Sequence, residues 1–397
     1  MKRKFWLAAM VWFFLISLTL GGAGNAGAAE PIKIGFMAPY VGVFAKFGAD
    51  LRDGFKLCLE EVGNKVAGRE IVLTNEDTEG KPEVGLMKAR KLVEKDQVQI
   101  LAGIIASPVA YAVKDYVISN KVPLMICNAG ANKLTQQDRN PLIFRSSFAN
   151  GQQDLAGGWY AYAKMGAKKV IFMGSDYAAG REKADGFRKA FTHMGGQVLE
   201  EIYVPFGTND YAPYLAKIAN YVGKVDLVWN FFAGSDAIRF VNQYAEYGLK
   251  EKVKLFCEEG TIDEANLPSQ KEAALGVESY ARYCFGYDSP ENKRFTREYR
   301  KKYNYDPGSL SEGGYVGAKF IVKALEAVGG KIEDQEAFLK VLRTVKFEAP
   351  RGPIHFDDHQ NVVFNTFIQR VAKKDGKYNN IVVDMIPNVD QYWMPQK

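Results

Sequence analysis

Histidine is nearly missing from this chain, with three in 397 residues. That scarcity argues against a metal centre built on imidazoles and against a hydrolase driven by a His base. Cysteine is scarce as well: Cys58, Cys127, Cys257 and Cys284 are the only four, and no two of them stand in a CxxC spacing. A zinc ribbon and a thioredoxin-type redox motif are therefore absent. In an oxidising compartment four cysteines allow two disulfides in three pairings, but a chain with this much core does not need them. They are expected as buried apolar fillers, with one optional bridge. An excess of one charge is also lacking. The formal net charge is +6, and Lys2, Arg3 and Lys4 supply half of it; from Glu30 onward 49 basic residues face 46 acidic ones. Nothing resembles the basic arm or patch of a nucleic-acid binder, and no nucleic-acid partner is expected.

Catalytic motifs are missing in the same way. There is no G-x-S-x-G elbow, no G-x-x-x-x-G-K-[ST] loop and no H-E-x-x-H. The glycine-rich stretch 21–27 does not follow a strand, so it is not a dinucleotide fingerprint. No cofactor is expected, and the chain does not read as an enzyme. One cluster invites a metal: His355, Asp357, Asp358 and His359. The plainer reading is a polar hairpin turning at 358–361, because nothing supplies a fixed geometry around those side chains.

What is present begins at the N-terminus. Lys2-Arg3-Lys4 precedes an apolar run from Phe5 to Leu20, followed by small residues up to Ala29 and then the polar Glu30-Pro31. This is the layout of a secretory signal peptide (residues 1–29), cleaved near Ala28 or Ala29. A membrane anchor is the alternative, but the run is short for a span of about 20 residues. Export to the periplasm is the expectation. The composition of the whole chain, 47% hydrophobic and 25% charged, is that of a globular protein too long for one compact core.

Along the chain, short apolar runs alternate with amphipathic stretches. Strands are expected at 32–38, 70–75, 99–105, 123–128 and 144–148. The pattern then restarts with strands at 169–174, 197–204, 226–231 and 253–257. Helices are expected at 50–62, 83–94, 182–193 and 237–247. Such alternation implies α/β architecture with parallel sheets covered by helices, and the restart near residue 150 implies two sheets. Residues 290–346 read as helical. Hairpin-like runs then follow at 354–357, 364–372 and 378–385, with Asp375-Gly376 as a turn.

Open parallel sheets bind ligands beyond the C-terminal ends of their strands. The third strand ends in Ala106-Ser107-Pro108, where Ser107 is expected as the helix N-cap and Pro108 as its first residue. That helix start offers backbone N–H groups and a positive dipole end to a carboxylate; a serine that simply caps its helix is the plainer alternative. The next strand end, Asn128 to Asn132, supplies the small residues Gly130 and Ala131. Phe47 follows the first strand. In the second half the strand ends carry Asp176-Tyr177, Phe231-Phe232 and Glu258-Glu259. Aromatics facing polar anchors across two halves describe a pocket for a small, partly apolar acid.

With these residues in view, the sequence resembles the periplasmic leucine/isoleucine/valine-binding protein family, the solute receptors of branched-chain amino-acid ABC transporters. The matching pieces run through nearly the whole chain after the leader. They are Ile34-Gly35, Phe47-Gly48, Gly54, Gly103, Ser107, Asn128 to Ala131, Leu134-Thr135, Phe144-Arg145, Asp176-Tyr177, Gly180, Asn209 to Tyr211, Gly248-Leu249 and Arg351 to Pro353. The resemblance implies a type I periplasmic binding protein fold: two Rossmann-like lobes joined by a three-segment hinge and closing on ligand. Lobe 1 is expected from 30–148 and 281–350, and lobe 2 from 149–280 and 351–397. It implies a monomer that hands a small-molecule carboxylate to an inner-membrane ABC permease. It also implies roles for single residues: Ser107 on the carboxylate, Glu259 on a ligand ammonium, and Tyr177 and Phe47 as aromatic contacts. Ala131 stands where amino-acid binders commonly place a Thr for the head group, and Phe231 and Phe232 enlarge the apolar share. Glu259 favours an amino acid; Ala131 and the phenylalanines favour an aromatic or aliphatic acid, and the reading leans toward an aromatic one. Alternative functions for such a chain are a ligand-sensing receptor of the same fold and, third, an enzyme using the cleft between the lobes.

Overall fold

The computed structural model describes residues 30–396; the expected leader lies outside them. A first sheet forms from β1 (Ile32–Ala38), β2 (Lys65–Val66), β3 (Arg69–Asp77), β4 (Ile100–Gly103), β5 (Leu124–Ile126) and β6 (Ile143–Arg145). Its spatial order is β2-β3-β1-β4-β5-β6, parallel except for the short β2. β1, β4 and β5 are almost wholly buried, which is why they read as apolar runs rather than as alternating strands. The helices between them are α1 (Ala45–Glu61), α2 (Pro82–Arg90) and α3 (Ser107–Ser119). Proline opens α2, where a missing N–H costs nothing. The expected helix over 83–94 changes to a wider turn at Lys91–Lys95.

α4 (Gln152–Ala163) leads into a second sheet, built from β7 (Lys169–Ser175), β8 (Gln197–Val204), β9 (Leu227–Phe231), β10 (Lys254–Glu258) and β11 (Glu278–Ala281). Between these strands lie α5 (Ala178–His193), α6 (Ala212–Ala219), α7 (Ser235–Glu246) and the single turn α8 (Leu267–Gln270). α9 (Pro290–Tyr303), α10 (Ser309–Ala327) and α11 (Gln335–Thr344) then follow with no strand between them. Ser289 caps α9 by accepting from Asn292 N at 3.1 Å, and Asp334 caps α11 by accepting from Ala337 N at 3.1 Å. α10 lies along α1, so this helical segment returns to the first sheet.

The chain finishes in β12 (Lys346–Ala349), β13 (Gly352–Phe356), β14 (Val362–Lys374) and β15 (Lys377–Val389). These join the second sheet antiparallel, in the order β12-β13-β14-β11-β10-β9-β7-β8, with β15 pairing β14. Asp375 and Gly376 both have positive φ at the β14–β15 turn, the geometry two-residue hairpins favour. β2, β11 and β12 lie outside the expected strands. β12 hydrogen-bonds to β13 from Lys346, so the chain enters the second sheet before residue 350, where the expected lobe boundary stood.

In each sheet the winding direction reverses once. β1 is flanked by β3 and β4, and β7 by β8 and β9. The strand ends at such reversals leave a crevice, and here the two crevices face one another. All four cysteines are free and buried, so the optional bridge is not formed. The 358–361 turn forms as expected. Asp357 Oδ1 accepts from the backbone N–H groups of His359 and Asn361 at 2.8 and 2.9 Å, and its Oδ2 accepts from Gln391 at 2.7 Å. This carboxylate is engaged in organising a loop.

Candidate functional site

The cleft is lined from the C-terminal ends of the strands in both sheets. From the first half come Phe44 and Phe47 after β1, Ser107 after β4, Asn128 and Gly130 after β5, and Phe148 and Asn150 after β6. From the second come Tyr177 and Lys183 after β7, Phe231 at the end of β9, Glu258 and Glu259 at β10, and Arg282 after β11. Aromatic rings form a continuous wall across the divide. Phe44 stacks on Phe47 at 6.4 Å and meets Phe206 at 5.1 Å; Phe206 meets Tyr177 at 5.6 Å, and Tyr177 stacks on Phe231 at 6.3 Å. Burial pushes the Tyr177 hydroxyl well above its ordinary range, so it stays protonated and can donate.

Two buried ion pairs form the polar side of the cleft. Lys183 pairs with Glu258, whose Oε1 also accepts from Gln153 at 2.7 Å and whose Oε2 accepts from Gly260 N at 2.8 Å. Asp154 stands 4.0 Å from Lys183 and is held by Tyr280, which in turn accepts from Trp229. Burial raises Asp154 to about 7, with the Lys183 charge acting the other way. The second pair is Arg282 with Glu259. One Glu259 oxygen faces the guanidinium and the other accepts from Arg282 N at 2.9 Å. Arg282 Nη2 donates to Ser309 O at 2.9 Å, while Arg282 Nε has no partner among the described residues. Burial, with the Arg351 charge also acting, lowers the Arg282 guanidinium to about 9; an anion beside it would act in the opposite sense. Both cations lie against the Phe148 ring, Lys183 at 4.2 Å and Arg282 at 4.7 Å from its centroid.

Of the eight residues expected from sequence, Phe47, Ser107, Gly130, Tyr177, Phe231 and Glu259 line this cavity. Phe232, one residue past the end of β9, packs instead on Tyr211 and Phe240 in a second apolar cluster. Ala131 is buried away from the cavity, its carbonyl accepting from Arg145 at 2.6 Å; Gly130 is the residue of that loop facing inward. A side chain on Gly130 would overlap Asn150 Oδ1, so only glycine fits there. Ser107 is the first residue of α3, with Ala106 at the cap and no side-chain capping bond. Its hydroxyl instead accepts from Asn150 at 3.1 Å. Lys183, Arg282, Asn150, Asn128 and Phe148 were not anticipated. Lys183 lies in the helix that Tyr177 leads into, a signal that was available. Arg282 follows a strand the sequence pattern does not show.

The profile described as periplasmic binding protein matches residues 31–377. The Leu/Ile/Val-binding protein homolog 6 of Brucella melitensis biotype 1 is 33% identical over 386 residues, 95% of each chain. An ABC transporter substrate-binding protein from Sphaerobacter thermophilus superposes with a TM-score of 0.87 at 37% identity, over 91% of this chain and 99% of its own. A solute-binding protein of an ABC transporter from Rhodopseudomonas palustris BisB5, solved in complex with 3,4-dihydroxybenzoic acid, gives 0.86 at 33% identity, over 91% and 99%. Two facing sheets, a cleft at their strand ends and these likenesses agree, and the chain belongs to the periplasmic binding protein family, with the type I fold.

Proposed function

We propose that this protein is the solute-binding component of an ABC transporter and captures an aromatic carboxylate of the benzoate class. In this reading it works in the periplasm once residues 1–29 are removed, and as a monomer delivers its ligand to an inner-membrane permease. Its lobes are those expected from sequence, with β12 added to the second. The observation that carries the ligand class is the state of the cleft acids. Glu258 and Glu259 have no oxygen without a partner among the described residues. A ligand ammonium at either one would share those oxygens with Arg282 or Lys183 and set a further positive charge beside two buried cations. A carboxylate brings the opposite charge to those cations, and Arg282, which lines the cleft, keeps a buried Nε–H with no partner among the described residues. Five aromatic side chains then surround a flat ring. The Rhodopseudomonas palustris relative, with its bound dihydroxybenzoic acid, supports the same class. Isothermal titration calorimetry with benzoate and with leucine tests this. Saturable one-to-one binding of benzoate, with leucine at least about 100-fold weaker, is expected; tighter binding of leucine would overturn the reading.

A further inference from the structure

Two fully buried polar atoms on residues that line the cleft lack partners among the described residues, and they are opposite in kind. Arg282 Nε is a buried donor with no acceptor, and Asn150 Oδ1 is a buried acceptor with no donor. The Asn150 amide cannot turn over to relieve this. Its Nδ2 donates to Glu182 Oε2 at 2.9 Å and to Ser107 Oγ at 3.1 Å, so a flip would set the carbonyl oxygen against the Glu182 carboxylate. Ser107 Oγ, having accepted from Asn150, keeps a hydrogen for which no acceptor is found among the described residues. The wall thus offers an acceptor and a donor as neighbours. A carboxylate can only accept, and would bring negative charge up to the amide oxygen. A hydroxyl satisfies both, donating to Asn150 Oδ1 and accepting from Ser107 Oγ–H.

We propose that Asn150 and Ser107 read a ring hydroxyl, so that the protein selects hydroxylated benzoates over benzoate, with the ligand carboxylate at Arg282. This inference rests on the aromatic-carboxylate reading above and moves Ser107 from the carboxylate end to the hydroxyl end. Sites built to pair a ligand hydroxyl reject the analogue lacking it strongly, because the protein's own buried group is then left unpaired.

Calorimetry on the full mature chain, with benzoate and with the 2-, 3- and 4-isomers of hydroxybenzoate and fluorobenzoate, provides the test. Fluorine matches the hydroxyl closely in size and cannot donate. At least one hydroxy isomer is expected to bind about tenfold or more tighter than benzoate, and its fluoro counterpart no better than about threefold. In Asn150→Ala the hydroxy-to-benzoate ratio should fall to within about threefold. Equal affinity for benzoate and all hydroxy isomers, a fluoro isomer that gains as much as its hydroxy counterpart, or a ratio that survives in Asn150→Ala would each overturn the inference. The wild-type comparison stands even if that variant fails to fold. If no benzoate of any kind binds, the aromatic-carboxylate reading itself fails, and this inference falls with it.

Discussion

Glu259 shows how far a residue's role depends on its neighbour. Read alone at a strand end, it looks like the partner of a ligand ammonium. In the folded chain Arg282 occupies it through both guanidinium and backbone N–H. Removing one partner of a buried pair costs about 3–5 kcal/mol, because the other charge stays buried and uncompensated. Glu259→Gln should therefore lower the melting temperature of the ligand-free protein by several degrees. Benzoate, whose carboxylate would replace the missing charge, should raise the melting temperature of the variant by more than it raises that of wild type. Thermal denaturation with and without saturating benzoate measures both. A variant that melts with wild type, or gains less from ligand, would contradict this pairing. Glu259 itself was legible from sequence; Arg282 was not, because four-residue β11 carries neither alternation nor length enough to mark its end.

The elements that place these residues were mostly visible. Nine strand expectations correspond to strands in the structure, because buried parallel strands are dense in branched and aromatic residues and are bounded by turn formers. Helix pairing was less visible. α1 and α10 lie more than 240 residues apart in sequence and pack so closely that a Cβ on Gly54 would overlap Ser311 O, and one on Gly314 would overlap Leu51 O. This glycine seam seats α10, and with it Ser309 and Leu310 at the cleft. Gly314→Ala should push the helices apart and cost about 1–3 kcal/mol, the range of overpacked cores. Urea unfolding measures it, and an unchanged midpoint would show that the seam has slack.

Across the whole molecule, Glu182 ties the two halves together. From α5 it accepts from Asn150 at 2.9 Å on its own side of the expected lobe boundary, and across that boundary from Tyr111 at 2.8 Å and from Asn132 N at 3.2 Å. The two bonds that cross would break if the lobes swung apart, and a ligand contacting both halves would favour the shut state by its differential contacts. Small-angle scattering should show a smaller radius of gyration with a saturating aromatic acid than without; an unaltered curve with a confirmed ligand would rule out the hinged clamp. Sequence by itself determined the α/β class, the two-sheet repeat and the strand ends where a ligand would sit, because hydrophobic periodicity and turn chemistry act over a few residues. Only the tertiary structure decided which of those end residues face one another, that Phe232 and Ala131 turn away, and that Arg282, Lys183 and Asn150 complete the wall. Those outcomes depend on which distant strand ends meet across the cleft and on where each buried charge finds its partner, and neither is written in any local stretch of chain.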